Sequence, residues 1–526
     1  MASANAAGEP RESFTRNSGF IFAAIGSAVG LGNIWRFPGV AYESGGGAFL
    51  IPYLVALLTA GIPVLFLDYA VGHRFRGTAP LSFRRIKKPA EVLGWFQTGL
   101  LFVIGVYYAA VIAWALSYFF FSFDQSWGDD PAAFFTGEYL KVGDPGVSTT
   151  IVGGVALPLI VVWLAVLAVL MLGVANGIEK VNVVFIPLLF VGFAGLVIRA
   201  LTLPGAVDGL NALFTPQWAA LKDLDVWIAA YSQIFFSLSI AFGIMIAYAS
   251  FQRRKANMTS SGLVVAFANS SFEILAGIGV FSALGFLAYQ QQVAVSDLEG
   301  LTGPILSFVT FPAVISEMPG AAFFGALFFG SLVIAGFTSL ISLMIGVSSA
   351  LQEKWGLSRT KAAVGVSVVC GLISVGLFST TSGLIALDTV DMFANNVGVV
   401  SSAILMTIIL IWVLRRGDML RHHLNAVSTF KVGKIWLGLV GVVAPIFLTI
   451  MLVQKVWSVI DEGYEGYPTW YISVFGWGTI ALIVIAAVAL TLPSWKGRDE
   501  PDFLPWPPLP DGVRGAAPNP TEEALR

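Results

Sequence analysis

Several oxygen-bearing groups of this chain lie inside long apolar runs, where an unpaired polar group is costly. The run GSAVGLGN at 26–33 combines three glycines with an amide. Each interior glycine costs about 1 kcal/mol of helix stability relative to alanine, so the run predicts a broken helix. Backbone groups freed inside a bilayer must pair with protein, an ion or a ligand. A binding site is one interpretation, and close helix packing through small residues is the other.

Two further features belong to the same pattern. Arg36 follows Gly32 by four residues within an apolar run, and an arginine at membrane depth needs a partner and is a functional candidate. A second polar interruption, QIFFSLSIAFG, occupies residues 233–243. Its serines alone are weak evidence, because serine can bond back to its own helix.

The composition indicates a membrane protein. Apolar residues make up 57% of the 526, charged residues 11%, and the mean hydropathy is +0.82. A soluble domain carries roughly 25% charged residues. The net charge of −2 gives no reason to expect a nucleic-acid partner. The single cysteine, Cys370, excludes an internal disulfide framework.

Twelve apolar runs are long enough to cross a bilayer, which takes roughly 20 residues. They lie near 19–42, 47–72, 95–123, 150–172, 181–203, 226–251, 262–290, 320–351, 360–381, 385–414, 434–460 and 470–493. With both ends placed inside, most of the Lys and Arg fall in cytoplasmic loops, while the opposite loops are acidic. We therefore expect a multi-pass protein of the inner, cytoplasmic membrane with cytoplasmic N- and C-termini.

The two interruptions fall in spans 1 and 6, which are corresponding elements of two five-helix halves. Broken helices at such positions are typical of inverted-repeat transporters. The predicted organisation is a cytoplasmic segment 1–18, halves 19–203 and 226–414, two further helices in 434–493, and a disordered proline-rich tail 494–526. The fold class is an all-α membrane protein of twelve spans. The repeat is inferred from these positions, because the two halves share no convincing residue pattern.

At these residues the sequence resembles the neurotransmitter:sodium symporter family. The resemblance covers about residues 11–490. The motifs that carry it are GSAVGLGNIWRFP at 26–38, GGGAF at 45–49, YY at 107–108, QIFFSLSIAFG at 233–243, NSSFE at 269–273 and AGFTS at 335–339. They occur in order on matching spans, which makes chance agreement very unlikely.

The resemblance implies two sodium sites. Sodium is a hard cation that prefers oxygen ligands. The first site would use the Ala28 carbonyl, the Asn33 and Asn269 amides and the Ser237 hydroxyl. The second would use the following groups: the carbonyls of Gly26, Val29 and Ala335 and the hydroxyls of Thr338 and Ser339. Hydrogen bonding between or within helices is the alternative role for these amides and hydroxyls.

The resemblance also implies a substrate site between the two breaks. The substrate carboxylate would meet the Leu31 and Gly32 amides and the Tyr108 hydroxyl, since a helix N-terminus favours an anion. The amino group would face Ala28, Phe236, Ser237 and Ser239. Other implied contacts are Ser27, Gly30, Ile104, Phe242, Ser339 and Leu343. Tyr108 could instead be an interfacial aromatic anchor.

Gly30 narrows the substrate class. Monoamine carriers of the family have an aspartate at this position, and a glycine leaves no anion for a bare amine. We therefore expect a substrate with its own carboxylate, a neutral amino acid with an apolar side chain. One methylene changes affinity by only about 1–3 kcal/mol, so the pocket residues do not single out one amino acid.

Glu273 bears on the ion requirement. Family members that need chloride have a serine four residues after the asparagine matched by Asn269, and Glu273 stands there in this sequence. We expect its carboxylate to replace chloride, so that sodium is needed and chloride is not. A purely structural glutamate, paired with a group such as Gln233, is the alternative.

The remaining expectations concern the gates. The resemblance implies an outer pair, Arg36 with Asp391 or Asp388, and an inner pair, Arg11 with Glu353. Phe14 and Phe251 replace a family tryptophan and tyrosine, and Asp68 replaces a glutamate. Gly177 to Pro187 frames a stretch that would unwind to hydrate the second sodium site, although a mere proline kink is the alternative.

Together these residues predict a sodium-coupled importer of neutral amino acids that works by alternating access. A proton-coupled carrier or a carrier of a GABA- or betaine-like zwitterion is the alternative. A channel would need a continuous polar pore. An enzyme is not expected, since the sequence has neither an HExxH motif nor a nucleophile elbow. No obligate protein partner is evident.

Overall fold

The computed structural model describes residues 12–298, 301 and 303–496, and it is helical through the predicted apolar runs. Among these residues no sheet forms, and the extended pairing is limited to two isolated bridges, Gly46 with Pro216 and Ile151 with Thr380. The predicted all-α membrane fold is confirmed. Arg11 and most of the predicted tail lie outside the described residues.

The helices follow the apolar runs closely. The long ones are Asn17–Ala28 with Leu31–Glu43, Gly47–Phe75, Lys88–Phe121, Gly153–Leu201, Leu224–Ser237 with Ile244–Ser250, Met258–Gln291, Ala321–Trp355, Arg359–Phe378, Gly383–Val413, Lys434–Asp461 and Thr469–Thr491. Shorter helices at Ala79–Ile86, Ala206–Phe214, Gly303–Ser316 and Gly417–Val427 lie between them.

Within the described residues, 9 helices are long and apolar enough to cross a membrane, or 10 if the bent first pair counts as one span. One of them, Gly153–Leu201, has 49 residues. At ~1.5 Å per residue it is about 74 Å long, more than twice the hydrocarbon thickness of a bilayer. It therefore comprises two spans, divided where Gly173 adopts a positive φ of 78°. With the broken sixth span added, the structure accommodates the twelve predicted spans.

The first span breaks where the glycine-rich run predicts. Its two helices meet at an angle of 54°, and Val29 and Gly30 between them are extended. Gly30 is followed directly by the helix that begins at Leu31. The break thus leaves the last carbonyls of one helix and the first N–H groups of the next without intrahelical partners.

The sixth span breaks between Ser237 and Ile244, and its conformation is held from outside. Ser239 and Ala241 have positive φ angles of 52° and 65°, which cost roughly 1–2 kcal/mol for a residue with a Cβ. The Ala241 N–H donates to Asp68 Oδ2 at 2.8 Å. Its carbonyl accepts from Gln97 at 3.0 Å and Ser402 at 2.5 Å. Three neighbouring helices therefore fix the two peptide units on either side of the Ala241 Cα.

The start of the fifth span, where unwinding is expected, is helical in this conformation. Residues Val174–Glu179 form a wide π-type turn, and Lys180–Leu201 continues as a helix with Pro187 inside it. Proline has no N–H, so one backbone bond of this helix is missing. In this conformation the stretch is helical but weakened.

Candidate functional site

The two breaks lie against each other in the centre of the fold. The Ser239 hydroxyl of the sixth span donates to the Ser27 carbonyl of the first at 2.9 Å. Ser27 is 4% exposed and Ser239 is 7% exposed, so water does not satisfy these groups. The polar backbone of both breaks thus faces one shared, buried space.

Three residues of the predicted first sodium site form a continuous chain. Asn33 Nδ2 donates to Asn269 Oδ1 at 2.9 Å, and Asn269 Nδ2 donates to Ser237 Oγ at 3.0 Å. Asn33 Oδ1 accepts the Gly30 N–H at 2.9 Å. An amide oxygen has two lone pairs, so each of these oxygens keeps one for a cation. Ala28, also predicted for this site, ends its helix with its carbonyl free of an intrahelical partner.

The residues of the predicted second sodium site lie where the first span contacts the eighth. Ser339 Oγ lies 3.1 Å from the Gly26 carbonyl and 3.1 Å from the Ala335 carbonyl, so that its one hydrogen can be donated to either. Thr338 Oγ1 contacts the Ala335 carbonyl at 3.0 Å. Val29 is fully buried at the break. These are uncharged oxygens in a dry environment, the type of ligand set that suits a monovalent hard cation.

The predicted carboxylate position lies at the N-terminus of the helix that begins at Leu31. The Leu31 N–H donates to the Tyr108 hydroxyl at 3.2 Å. A Cβ on Gly30 would lie 2.9 Å from both the Tyr108 and the Ser339 hydroxyl oxygens. Tyr108 therefore lies at the break, where it contacts the backbone of Leu31.

Phe236 covers this region from the sixth span. Its ring lies where a Cβ on Gly32 would go, and the Arg36 guanidinium lies 4.7 Å from the ring centroid. The remaining predicted pocket residues, Ile104, Phe242 and Leu343, are 7%, 7% and 4% exposed. An aromatic lid between the pocket and Arg36 is consistent with this arrangement.

Glu273 is fully buried and surrounded by donors. Gln233 Nε2 donates to Oε1 at 2.6 Å, and the Tyr53 hydroxyl donates to Oε2. The Ser237 hydroxyl is a further hydrogen-bond partner, and Arg36 contributes a favourable positive charge. The Gln233 and Tyr53 groups both donate to the carboxylate, and the Ser237 contact joins Glu273 to the first sodium site.

The predicted outer pair is not in direct contact here. Arg36 Nη2 donates to Ser232 at 3.0 Å. Asp391 accepts from Asn395 at 2.9 Å and is close enough to Arg36 for electrostatic attraction. Asp388 instead accepts from Tyr464 at 3.0 Å and Tyr467 at 3.3 Å. Of the two aspartates, Asp391 is therefore the better partner for Arg36.

The side of the fold that carries the N-terminal segment is closed by aromatic packing. Phe14 contacts Phe20 and Tyr248 edge-on at 5.7 Å and Phe251 at 6.5 Å, and its N–H donates to the Phe251 carbonyl at 3.2 Å. The two phenylalanines thus contact each other without the hydrogen bonds that the family's tryptophan and tyrosine would make. Glu353 accepts from the Thr78 N–H at 2.9 Å and hydroxyl at 2.6 Å.

Sequence reasoning missed several residues that position this site. Gln97 and Ser402 hold the break at Ala241, and Tyr53 donates to Glu273. A glutamine and a tyrosine within apolar runs were visible signals. Their partners are far apart in the sequence, and only the packing brings them together.

Comparison with known proteins decides the family. The profile of the sodium:neurotransmitter symporter family matches residues 11–130 and 126–496. The chain belongs to the sodium:neurotransmitter symporter family. It is 42% identical over 494 residues to an uncharacterized sodium-dependent transporter of Methanocaldococcus jannaschii, covering 92% of this chain and 99% of that one.

Two other members of the sodium:neurotransmitter symporter family carry information on ligands. The human sodium- and chloride-dependent neutral and basic amino acid transporter B(0+) is 28% identical over 91% of this chain and 84% of its own. The crystal structure of MhsT in complex with L-phenylalanine matches with a TM-score of 0.72 and 31% identity, over 85% of this chain and all of that one. The predicted family membership and sodium-dependent transporter class are confirmed.

Proposed function

We propose that this chain imports neutral amino acids with apolar side chains, together with sodium, by alternating access. The observation that carries the proposal is the convergence of polar groups at Gly30. The Leu31 N–H, the Tyr108 hydroxyl and the Ser339 hydroxyl meet there, and all of them suit a carboxylate. An aspartate side chain would not fit there without displacing the two hydroxyls. MhsT, a relative of known structure, was crystallised with an amino acid, L-phenylalanine.

We further propose that two sodium ions bind, one beside Asn33 and Asn269 and one beside Thr338 and Ser339. The first set lies next to the substrate carboxylate position, because Asn33 contacts the Gly30 N–H. The second set joins the first and eighth spans. A sodium ion at either place would stabilise the closed arrangement of the breaks, which couples ion binding to substrate binding.

The substrate class is tested by competition. Full-length protein in proteoliposomes would take up labelled leucine under an inward sodium gradient while each of the twenty amino acids competes. Apolar neutral amino acids should compete, and amines without a carboxylate should not. Competition by serotonin-like amines or by GABA, with none by apolar amino acids, would contradict the proposal.

Chloride independence rests on Glu273. A buried carboxylate that accepts hydrogen bonds from Tyr53 and Gln233 supplies the negative charge that would otherwise come from an anion. Uptake should be unchanged when gluconate replaces chloride. Glu273→Ser should need chloride, and Glu273→Gln, which keeps the shape and removes the charge, should be weak in either anion. Wild-type uptake that collapses without chloride would refute this role.

The charge distribution supports a cytoplasmic membrane location with both termini in the cytoplasm. The basic loops 74–88 and 253–255 lie on the same side as the N-terminal segment. Labelling of single cysteines introduced in these loops, from either side of the membrane, would test the orientation.

A further inference from the structure

Asn182, on the fifth span, has an oxygen that the site described above does not use. The residue is fully buried, and its Nδ2 donates to the Ile178 carbonyl at 2.9 Å. Turning the amide over would bring two oxygens together, so the orientation is fixed. Its Oδ1 has no hydrogen-bond partner, which is costly for a buried polar atom.

This oxygen lies against Gly26, whose carbonyl belongs to the second predicted sodium site. It occupies the space that a Cβ on Gly26 would need. The Gly26 carbonyl, in turn, contacts Ser339 at 3.1 Å. A Cα–H contact from Gly26 is a weak interaction and does not satisfy the amide oxygen as an N–H would. Asn182 Oδ1 is thus an available ligand one residue away from the cation site.

Glu179 provides a second oxygen-bearing side chain on the fifth span, nearer the N-terminal segment than Asn182. It is three residues before Asn182, on the same helix face, and its carboxylate lies where a Cβ on Gly19 would go. Gly19 and Gly26 are two helical turns apart, so the two oxygen groups follow the first span in parallel. The carboxylate accepts the Thr15 N–H at 2.8 Å and also the Thr15 hydroxyl.

The surroundings suit a leaving cation. A carboxylate has about four lone-pair sites, and Thr15 uses two of those on Glu179. Beyond it, Glu12 accepts the Val174 N–H at 2.7 Å and pairs with Arg359 at 2.9 Å. Oxygen acceptors therefore extend from the buried site to the N-terminal segment. The helix that carries Asn182 already lacks one backbone bond because of Pro187.

We propose that Asn182 and Glu179 form an inner sodium station, which the ion from the second site occupies on its way to the cytoplasm. This inference rests on the proposed sodium coupling. The ion exchanges the Gly26 carbonyl for Asn182 Oδ1 and then for the Glu179 carboxylate. At Glu179 it competes with the Thr15 donors, so its arrival favours detachment of the N-terminal segment.

The test separates binding from release. Purified full-length protein is equilibrated with ²²Na⁺ to obtain the half-saturating concentration, and dilution into unlabelled sodium gives the dissociation rate. Asn182→Leu keeps the volume and removes the oxygen. Its half-saturating sodium concentration should stay within about twofold of the wild-type value. Its sodium dissociation should be about tenfold slower, which corresponds to a dissociation barrier higher by about 1.4 kcal/mol. Glu179→Gln should slow dissociation in the same direction.

The control is Asn396→Leu. Asn396 also donates to the carbonyl four residues earlier, that of Met392, at 3.1 Å. The Asn396→Leu variant should leave the half-saturating sodium concentration and the dissociation rate unchanged. If Asn182→Leu does not fold, Asn182→Asp decides. A fixed charge at the station should lower the half-saturating sodium concentration at least fivefold, and a wild-type value would overturn the proposal.

The outcomes also separate this inference from the proposed function. Wild-type protein that binds no ²²Na⁺ would refute sodium coupling itself. Wild-type protein that binds sodium, with Asn182→Leu releasing it at the wild-type rate, would overturn the station alone and leave Asn182 a packing residue against Gly26. Parallel changes in affinity and rate would also overturn it, by making Asn182 a ligand of the second site.

Discussion

Replacing Gly30 by aspartate should abolish amino acid binding. The new carboxylate would lie beside the Tyr108 and Ser339 hydroxyls, because a Cβ at this position is already 2.9 Å from both oxygens. That is where we place the substrate carboxylate. Two like charges ~4 Å apart repel by about 4 kcal/mol at an effective dielectric constant of ~20. The affinity should therefore fall about a thousandfold.

The charge and the size of the new side chain must be separated. Gly30→Asn has nearly the same shape as Gly30→Asp and no charge, and Gly30→Ala adds only the Cβ. Displacement of labelled leucine from purified protein would give the dissociation constant of each variant. We expect Gly30→Ala and Gly30→Asn to weaken binding moderately and Gly30→Asp to weaken it far more. Equal losses for the asparagine and aspartate variants would refute the carboxylate assignment.

Three further results are expected. Asn269→Ala and Thr338→Ala each remove an oxygen ligand and should raise the half-saturating sodium concentration for uptake; unchanged values would contradict the site assignment. Phe14 is 1% exposed, so Phe14→Ala should lower the free energy of unfolding by about 3–5 kcal/mol and with it the melting temperature. Phe123 is 61% exposed, so Phe123→Ala should lower it little. Burial, with the nearby His73 and basic side chains, holds the pKa of His423 well below its usual value. The folded state therefore binds fewer protons than the unfolded state below about pH 6.5, and stability should fall as the pH falls through that range; a His423→Gln variant with the same acid sensitivity would contradict this.

The sequence predicts the first break better than the second. Three glycines and Asn33 within eight residues leave a helix little stability, so the position of the first break follows from local propensity. In the sixth span, Ser239 and Ala241 adopt positive φ angles that their residue types do not favour. That conformation depends on hydrogen bonds between Ala241 and the side chains of Asp68, Gln97 and Ser402, which no local pattern reveals.

In the candidate site, too, the sequence predicts which residues take part, whereas their contacts depend on the packing. The motifs place Asn33, Asn269 and Ser237 on three helices, and the structure joins them in one hydrogen-bonded chain. The choice between Asp388 and Asp391 depended on which one faces Arg36, and residues three apart on a helix cannot be separated by pattern alone. The closeness of Asn182 to Gly26 is likewise a consequence of how the first and fifth spans pack.

Solute accumulation in proteoliposomes tests the central claim most directly. Full-length protein reconstituted in vesicles would be given labelled leucine or phenylalanine under an inward sodium gradient, and separately under a proton gradient without sodium. The account predicts accumulation above the external concentration only with the sodium gradient, in chloride or in gluconate, and its loss when an ionophore dissipates that gradient. Equal accumulation under the proton gradient alone, or none of any amino acid under the sodium gradient, would contradict it.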